Sequence, residues 1–437
     1  MRSRVRDHRR SSTRALVIAL ASVTLLAGCP SKPKPDPSQK EASKDGGGSP
    51  ASSQLSAVAE KPADAAHGKE LVLTFQCNRC HEGTGHPAAA QNKHCVQCHN
   101  DIVEDRFSAP AASIARWKPR VKELTEAPSL EASSKRLTRQ WIERYLLQPN
   151  DLRPRLAQYM PRLAITQDEA RDVAAYLVAD TDAPASADPK PPEGDLGKGR
   201  QLLDTKGCGS CHSFSGIAPL AVSAPPAMDG KDFERGRKLA PDLRFTRDRM
   251  TRAKLVGWLT DPTAVKPDSA MPKIALSDAE TKDLAAFILG VEVNDAARAS
   301  RPKLVRLPPL TRKVTFKEVD EKVFHRTCWH CHSEPDYAIG DGGPGNSGGF
   351  GFKPRGLNLS DYSGIAAGYV DDQGQRASIF MKDAENVPRI VRALLARHDE
   401  ENGAETGPVR GMPLGYEPLS AEDIQLVESW VAQGRPR

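Results

Sequence analysis

Four segments of this chain place two cysteines and a histidine at one spacing, Cys-x-x-Cys-His. They are Cys77-Asn-Arg-Cys80-His81, Cys95-Val-Gln-Cys98-His99, Cys208-Gly-Ser-Cys211-His212 and Cys328-Trp-His-Cys331-His332. This spacing is typical of covalent c-type haem attachment, in which two thiols form thioethers to the porphyrin vinyl groups and the imidazole takes one axial position on iron. The sequence therefore predicts four covalently bound haem c groups.

Paired Cys-x-x-Cys motifs also serve as zinc sites or redox-active disulfides, and these are the alternatives to haem. The position of histidine distinguishes between these alternatives. Histidine is rare in the chain, with only 11 among 437 residues. A His nevertheless follows the second cysteine in all four motifs. This pattern favours haem over zinc or a disulfide.

The ninth cysteine, Cys29, ends the segment Leu26-Ala27-Gly28-Cys29, which has the form of a bacterial lipoprotein cleavage site. An Arg-rich start and the apolar stretch 15–27 precede it, and that stretch is too short to span a bilayer comfortably. We predict a removable export signal over residues 1–28 and lipidation of Cys29; the alternative is a transmembrane anchor with an incidental cysteine. Pro30 slightly favours the outer over the inner membrane.

The net charge of +6 belongs mostly to this leader. Residues 1–28 contain six Arg and one Asp, so removal of their five net positive charges leaves +1. Each haem adds two propionates, which brings the mature protein close to neutral or acidic. Nucleic acid is therefore not an expected partner.

Composition divides the rest of the chain. Residues 29–66 are rich in Ser, Pro, Lys, Gly and Ala and predict a disordered tether. Two Pro-rich breaks predict linkers over 184–194 and 293–312. Three segments of domain size remain, namely 67–183 with two haem motifs, and 195–292 and 313–437 with one each.

The first two segments are an internal repeat. Ala127-Pro128-Ser129-Leu130 matches Ala240-Pro241-Asp242-Leu243, and each copy continues to a Met-Pro pair at Met160 and Met271. Thr166-x-x-Glu169 and Ser277-x-x-Glu280 then predict capping boxes for closing helices over 168–179 and 278–290. The third segment is a looser copy, with Met412-Pro413 and a terminal apolar run.

A haem motif near the start, a Met-Pro pair downstream and an amphipathic terminal helix resemble class I cytochrome c domains. The resemblance implies a mainly α fold of three such helical domains in tandem, the first with an inserted second haem-binding loop. It also implies that Met160, Met271 and Met412 are distal ligands of the haems on His81, His212 and His332; the alternative is that these Met side chains only fill core gaps. Pro128 and Pro241 correspond to the family's proline whose carbonyl accepts a hydrogen bond from the proximal imidazole, or they are simple turn residues. We place no equivalent in the third segment.

The motif ending at His99 lies in an insertion. His81 and Pro128 are 47 positions apart, whereas His212 and Pro241 are 29 apart, which leaves eighteen extra residues and no further Met-Pro pair. The distal candidates for this haem are His67, His86 and His94, and we favour His86. If none binds, the iron is five-coordinate and open to small molecules. We interpret His325, His330 and His398 as surface or packing residues, and the glycine-rich 340–351 as a flexible loop beside haem.

The function implied by this resemblance is relay of single electrons, with no catalytic residues and no small-molecule substrate. The expected location is the periplasm, with a lipid anchor in the membrane. The expected partners are redox proteins: a periplasmic dehydrogenase, a quinol-oxidising complex, or a terminal oxidase or reductase. The alternatives are a haem enzyme, such as a peroxidase or small-oxyanion reductase that uses the second haem as an open site, and a haem-based redox sensor.

Overall fold

The computed structural model describes residues 62–437 apart from 122–123, 150–151, 157–158, 164, 189–191, 223–227, 295–302, 334–355, 372 and 403–408. The predicted export signal, Cys29 and the tether up to residue 61 lie outside the described residues, and so does the glycine-rich stretch 340–351.

The described chain is mainly helical, as predicted, with one short antiparallel pair of strands, β1 (Tyr369–Val370) and β2 (Arg376–Ala377). Its α-helices are α1 Ala65–Thr74, α2 Cys95–Val103, α3 Ala111–Trp117, α4 Ser133–Arg136, α5 Arg139–Leu147, α6 Gln167–Leu177, α7 Leu196–Thr205, α8 Gly230–Leu239, α9 Thr246–Arg249, α10 Arg252–Thr260, α11 Pro262–Val265, α12 Asp278–Gly290, α13 Phe316–Val319, α14 Tyr362–Ala367, α15 Arg389–Glu401 and α16 Ala421–Ala432. A π-helix, Asp320–Cys328, continues from α13. None of the helices in this part of the chain has both the length and the apolar character needed to cross a bilayer.

Helix pairs α1 with α6 and α7 with α12 cross in the same way, at a glycine. A Cβ on Gly68 would lie 2.0 Å from the Asp172 carbonyl oxygen, and one on Gly199 would lie 2.2 Å from that of Asp283. Any side chain would push the two backbones apart, so glycine permits the close crossing. The carboxylates of the same two aspartates accept hydrogen bonds at 2.7 Å from the backbone N–H groups of the residues that cap α1 and α7, Asp64 and Asp195.

Both predicted capping boxes are present, at Thr166 before α6 and at Ser277 before α12. Helix α12 has the predicted bounds. Helix α6 ends at Leu177, two residues earlier than predicted, because Val178 is extended with φ −136° and ψ 101°. Ser420 caps α16 by accepting a hydrogen bond from the Asp423 N–H.

The cap of α12 is expected to make stability depend on pH. The pKa of Glu280 is lowered to about 2, first by the hydrogen bond from the Ser277 backbone and then by Lys206, whose Nζ lies 2.9 Å from the Glu280 carboxylate. A depressed folded-state pKa contributes stability above the unfolded value of about 4.3, and that contribution is lost as pH falls from there towards about 2. We expect Glu280→Gln to flatten the loss of stability over this window, measured by urea unfolding at a series of pH values. Glu292→Gln, at an exposed position after the helix, is the control; equal pH slopes in both variants would contradict the expectation.

Residues 60–437 form one compact unit that contains three separate buried clusters. One lies within each predicted segment, and their members include Leu71, Ile142 and Val173 in the first, Leu203, Leu255 and Leu284 in the second, and Val323, Val391 and Trp430 in the third. The exact domain boundaries stay a prediction.

The first two segments are joined by backbone and charged contacts. Thr138 N–H donates to the Arg249 carbonyl at 2.9 Å, and Lys254 Nζ donates to the Leu137 carbonyl and to the Asp180 carboxylate. The predicted linker also lies against the second segment, because Ala185 N–H donates to a carbonyl there at 2.8 Å. These contacts bring side chains of the first segment close to His212 in the second segment.

Candidate haem-binding sites

Three of the four motifs form the same tight turn. In each, the N–H groups of the second cysteine and of the histidine both donate to the carbonyl of the first cysteine, at 3.2 and 2.9 Å for Cys77, 3.2 and 2.8 Å for Cys208, and 3.2 and 2.9 Å for Cys328. One turn therefore presents two thiols and an imidazole together, as thioether attachment requires. The motif from Cys95 to His99 differs, because it forms the start of α2.

The predicted outer hydrogen bonds to the imidazoles of His81 and His212 are present. Nδ1 of His81 lies 2.8 Å from the Pro128 carbonyl oxygen, and Nδ1 of His212 lies 2.9 Å from that of Pro241. A carbonyl can only accept, so Nδ1 carries the proton and Nε2 keeps its lone pair for a metal. Burial lowers the pKa of both histidines, which favours the neutral, ligating form.

The third segment has the equivalent contact without a proline. Burial lowers the pKa of His332, and a hydrogen bond to the Leu357 backbone opposes this shift. Two residues later, Leu359 N–H donates to the His332 carbonyl at 2.6 Å. In the other segments the comparable bonds run from Leu130 and Leu243 to the carbonyl of the residue after the histidine, Glu82 and Ser213, both at 2.9 Å. Sequence reasoning missed Leu357 because leucine replaces the proline that marked the other two copies.

A cavity of about 230 Å³ lies in the second segment and is lined by Cys208, Cys211, His212 and Met271. Apolar side chains form much of its wall, including Leu203, Leu243, Leu255, Leu259 and Ile288. The thioether sulfur of Met271 accepts a hydrogen bond from Trp258 Nε1 at 3.0 Å. Two thiols, an imidazole and a thioether therefore face one apolar space.

The buried positive charges of two arginines bear on whether this cavity could hold a haem. Arg136, from the first segment, and Arg249 both line it, and the Nε atom of each is buried without a hydrogen-bond partner. Burial lowers the pKa of each guanidinium to about 10, and the charge of Arg136 lowers that of Arg249 further. Buried cations are costly without an anion. Asp268 also lines the cavity, and its charge partly offsets that of Arg136. The two propionates of a haem would supply further negative charge, so the donors and the charges both fit the group.

We expect Arg249→Gln to lower the midpoint potential of the haem in this cavity by on the order of tens of millivolts. The physical reason is that a nearby positive charge disfavours the more positive ferric state, and its removal stabilises that state. The backbone carbonyl that accepts from Thr138 is unaffected by the substitution. Arg249→Lys, which keeps the charge, is the control in a spectroscopic redox titration. An unchanged potential in Arg249→Gln would contradict the assignment.

The other two predicted methionine ligands lie in their own segments. Met160 packs against the first buried cluster and lines a small cavity with Gly415. Met412 packs against the third cluster, and its N–H donates to the Ala393 carbonyl at 2.9 Å. Ligation of iron by Met160, Met271 and Met412 stays a prediction.

The three histidines considered as distal ligands for the haem on His99 each have another partner. Nδ1 of His67 lies 2.7 Å from the Asp172 carboxylate, and Nε2 of His86 donates to the Lys69 carbonyl at 2.7 Å. His94 caps α2, its Nδ1 accepting from a backbone N–H at 3.1 Å.

The ring that lies beside His99 is that of another histidine, His330. The centroids of the His99 and His330 rings are 5.9 Å apart, with their planes tilted by 56°. His330 also contacts Tyr416, at 6.1 Å between centroids. Sequence reasoning interpreted His330 as a surface or packing residue, because the two histidines are far apart along the chain and share no motif. The packing interpretation holds for His398, whose Nε2 donates to the Leu419 carbonyl at 2.8 Å.

The eight motif cysteines are free thiols in the structure. Burial raises the pKa of most of them, to about 11 for Cys208 and about 12 for Cys328. The side chains of Cys80 and Cys95 are in hydrogen-bonding contact, so the first and second motifs are neighbours. Within the described ranges, no group of three or more His, Cys, Asp or Glu side chains is arranged to hold a metal ion.

Comparison with known proteins identifies one region of the chain. Residues 196–292 match the family model described as Cytochrome c. No curated protein and no solved structure matches the chain. The chain therefore contains a cytochrome c domain, which implies covalently bound haem c and haem-based electron transfer. The matched region includes His212 and Met271, and residues of the first segment complete the wall of the cavity that these two line.

Proposed function

We propose that this protein is an exported, membrane-anchored cytochrome that carries four haem c groups and relays single electrons between respiratory redox partners. The cavity in the matched cytochrome c domain carries the proposal, because it combines a Cys-x-x-Cys-His turn with a methionine in one apolar space. Two further turns of the same geometry, at Cys77 and Cys328, extend it to the other segments, and the motif from Cys95 to His99 extends it to α2.

The residues around the cavity would set the orientation of the axial ligands and the reduction potential of the haem. When bound, haem supplies an iron centre that changes charge by one electron. Pro241 orients His212 and fixes its proton on Nδ1. The Leu-rich wall lowers the local dielectric constant, and the buried arginines that line the cavity would offset the negative charge of the propionates. Methionine as the second axial ligand favours the ferrous state and a higher potential than two imidazoles would give.

Location and partners rest on the sequence. The predicted cleavage site before Cys29 would place lipid at the start of the mature chain, and the tether would let the haem-bearing part reach its partners. We propose a periplasm-facing lipoprotein, with the outer membrane slightly favoured. A dehydrogenase or quinol-oxidising complex would donate electrons, and an oxidase or reductase would accept them.

The test is a set of reactions on the purified holoprotein. Stepwise reduction should take up as many electrons as there are haems, and an oxidised soluble cytochrome c should remove them again. Carbon monoxide should not bind rapidly, and hydrogen peroxide should not be turned over with an electron donor. Rapid stoichiometric carbon monoxide binding at one haem together with peroxide turnover would favour the enzyme alternative and contradict a pure relay.

A further inference from the structure

We propose that His330 is the distal ligand of the haem attached at Cys95 and Cys98, with His99 as its proximal ligand. This inference rests on the proposed function, since it requires a haem at that motif. It assigns the iron a histidine from the third segment in place of His86 from the first.

The separation of the two rings is the first observation. A first-row metal binds an imidazole nitrogen at about 2.0 to 2.1 Å, and with about 1.1 Å from nitrogen to ring centre on each side, two such bonds separate the centroids by about 6.3 Å. The observed separation is 5.9 Å. The two values differ by a few tenths of an ångström, so the distance between the rings is close to that of two imidazoles on one iron.

The environment of His99 is the second observation. His99 is 5% exposed, so its ring is surrounded by a wall of protein side chains, and these are the candidates for a distal ligand. His330 forms part of that wall, and the edge-on Tyr416 ring beside it restricts its rotation. An imidazole held in place loses little side-chain entropy when it binds a metal.

The hydrogen bonds of the rival histidines are the third observation. Nδ1 of His94 accepts a backbone N–H, so a neutral ring carries its proton on Nε2 and has no lone pair left for iron. Nε2 of His86 donates to the Lys69 carbonyl, which holds that ring against α1. Ligation by either would require these bonds to break.

The position of His330 gives this ligation a structural consequence. His330 lies between Cys328 and Cys331, the attachment points predicted for another haem. A bond from its ring to the second iron would join the first and third segments and would place the two haem sites next to each other. Electrons could then pass between these segments without crossing a wide protein gap.

The test compares His330→Gln and His86→Gln in protein matured with haem. Wild type should show one bis-histidine signal by electron paramagnetic resonance. His330→Gln should lose that signal and bind about one equivalent of carbon monoxide or added imidazole, whereas His86→Gln should keep it. His330→Met should convert the same haem to His-Met ligation, with the far-red Met-to-iron absorption band increased in proportion.

Mass spectrometry of attached haem separates the possible failures. No haem on Cys95 and Cys98 in wild type would refute the proposed function at that motif. A full haem complement with the bis-histidine signal retained in His330→Gln, or lost in His86→Gln, would refute only the assignment of His330. If His330→Gln lost a haem from Cys328 and Cys331, the His330→Met variant would be compared instead. An increased Met-to-iron absorption band in that variant would support the assignment, and an unchanged band would refute it.

Discussion

Replacement of both Cys208 and Cys211 by Ala is expected to remove one haem per chain and to destabilise the second segment. The two thiols and His212 project from one turn into the cavity, and the haem they would hold is the largest apolar group available to fill it. Without it, the leucine wall faces an empty space and Arg136 and Arg249 keep their unpaired Nε atoms. Pyridine haemochrome analysis of the purified variant measures the haem loss, and limited proteolysis measures the loss of order.

Ser210→Ala is the matched control for this double variant. It changes the same turn but leaves both thiols and the imidazole, so the haem content should equal that of wild type. An unchanged haem content in the double cysteine variant would show that no haem is attached at this motif.

Met271→His is expected to lower the potential of the haem in the same cavity by on the order of a few hundred millivolts, because axial ligands tune haem potentials over about 0.8 V. Thioether ligation favours the ferrous state, and an imidazole in its place favours the ferric state more. The substitution should also remove one Met-to-iron absorption band. A redox titration followed by absorption measures both effects.

Met250 provides the control for Met271. It lines the same cavity and is 4% exposed, but it is not a predicted ligand. Met250→Leu conserves volume and is expected to cost less than about 1.5 kcal/mol and to keep the absorption band. If Met250→Leu removed the band and Met271→His did not, the ligand assignment in this cavity would be wrong.

The sequence predicted what local spacing determines. The hydrogen bonds from His81 and His212 to prolines, which span 47 and 29 positions, were implied by the resemblance to class I cytochrome c domains. The caps at Thr166 and Ser277 and the bounds of α12 follow from residues a fixed distance apart within each copy of the repeat. Pattern matching works there because turns and caps depend on a few neighbouring residues.

Contacts between distant segments could not be predicted in this way. Leu357 takes the place of the proline in the third segment, and only the folded backbone shows that it contacts His332. The approach of His330 to His99, and of Arg136 to the cavity around His212, depends on how the segments pack together. A single sequence has no periodic signal for such packing, so the nearby His86 was favoured over the distant His330.

A low-temperature magnetic resonance redox titration of the full holoprotein, with haem counted on the same sample, tests whether the protein is a four-haem electron carrier. We expect four low-spin haems per chain, three with His-Met and one with bis-His ligation, each titrating as a one-electron centre. A colourless protein, zinc in place of iron, or a high-spin haem that binds carbon monoxide at once would contradict it.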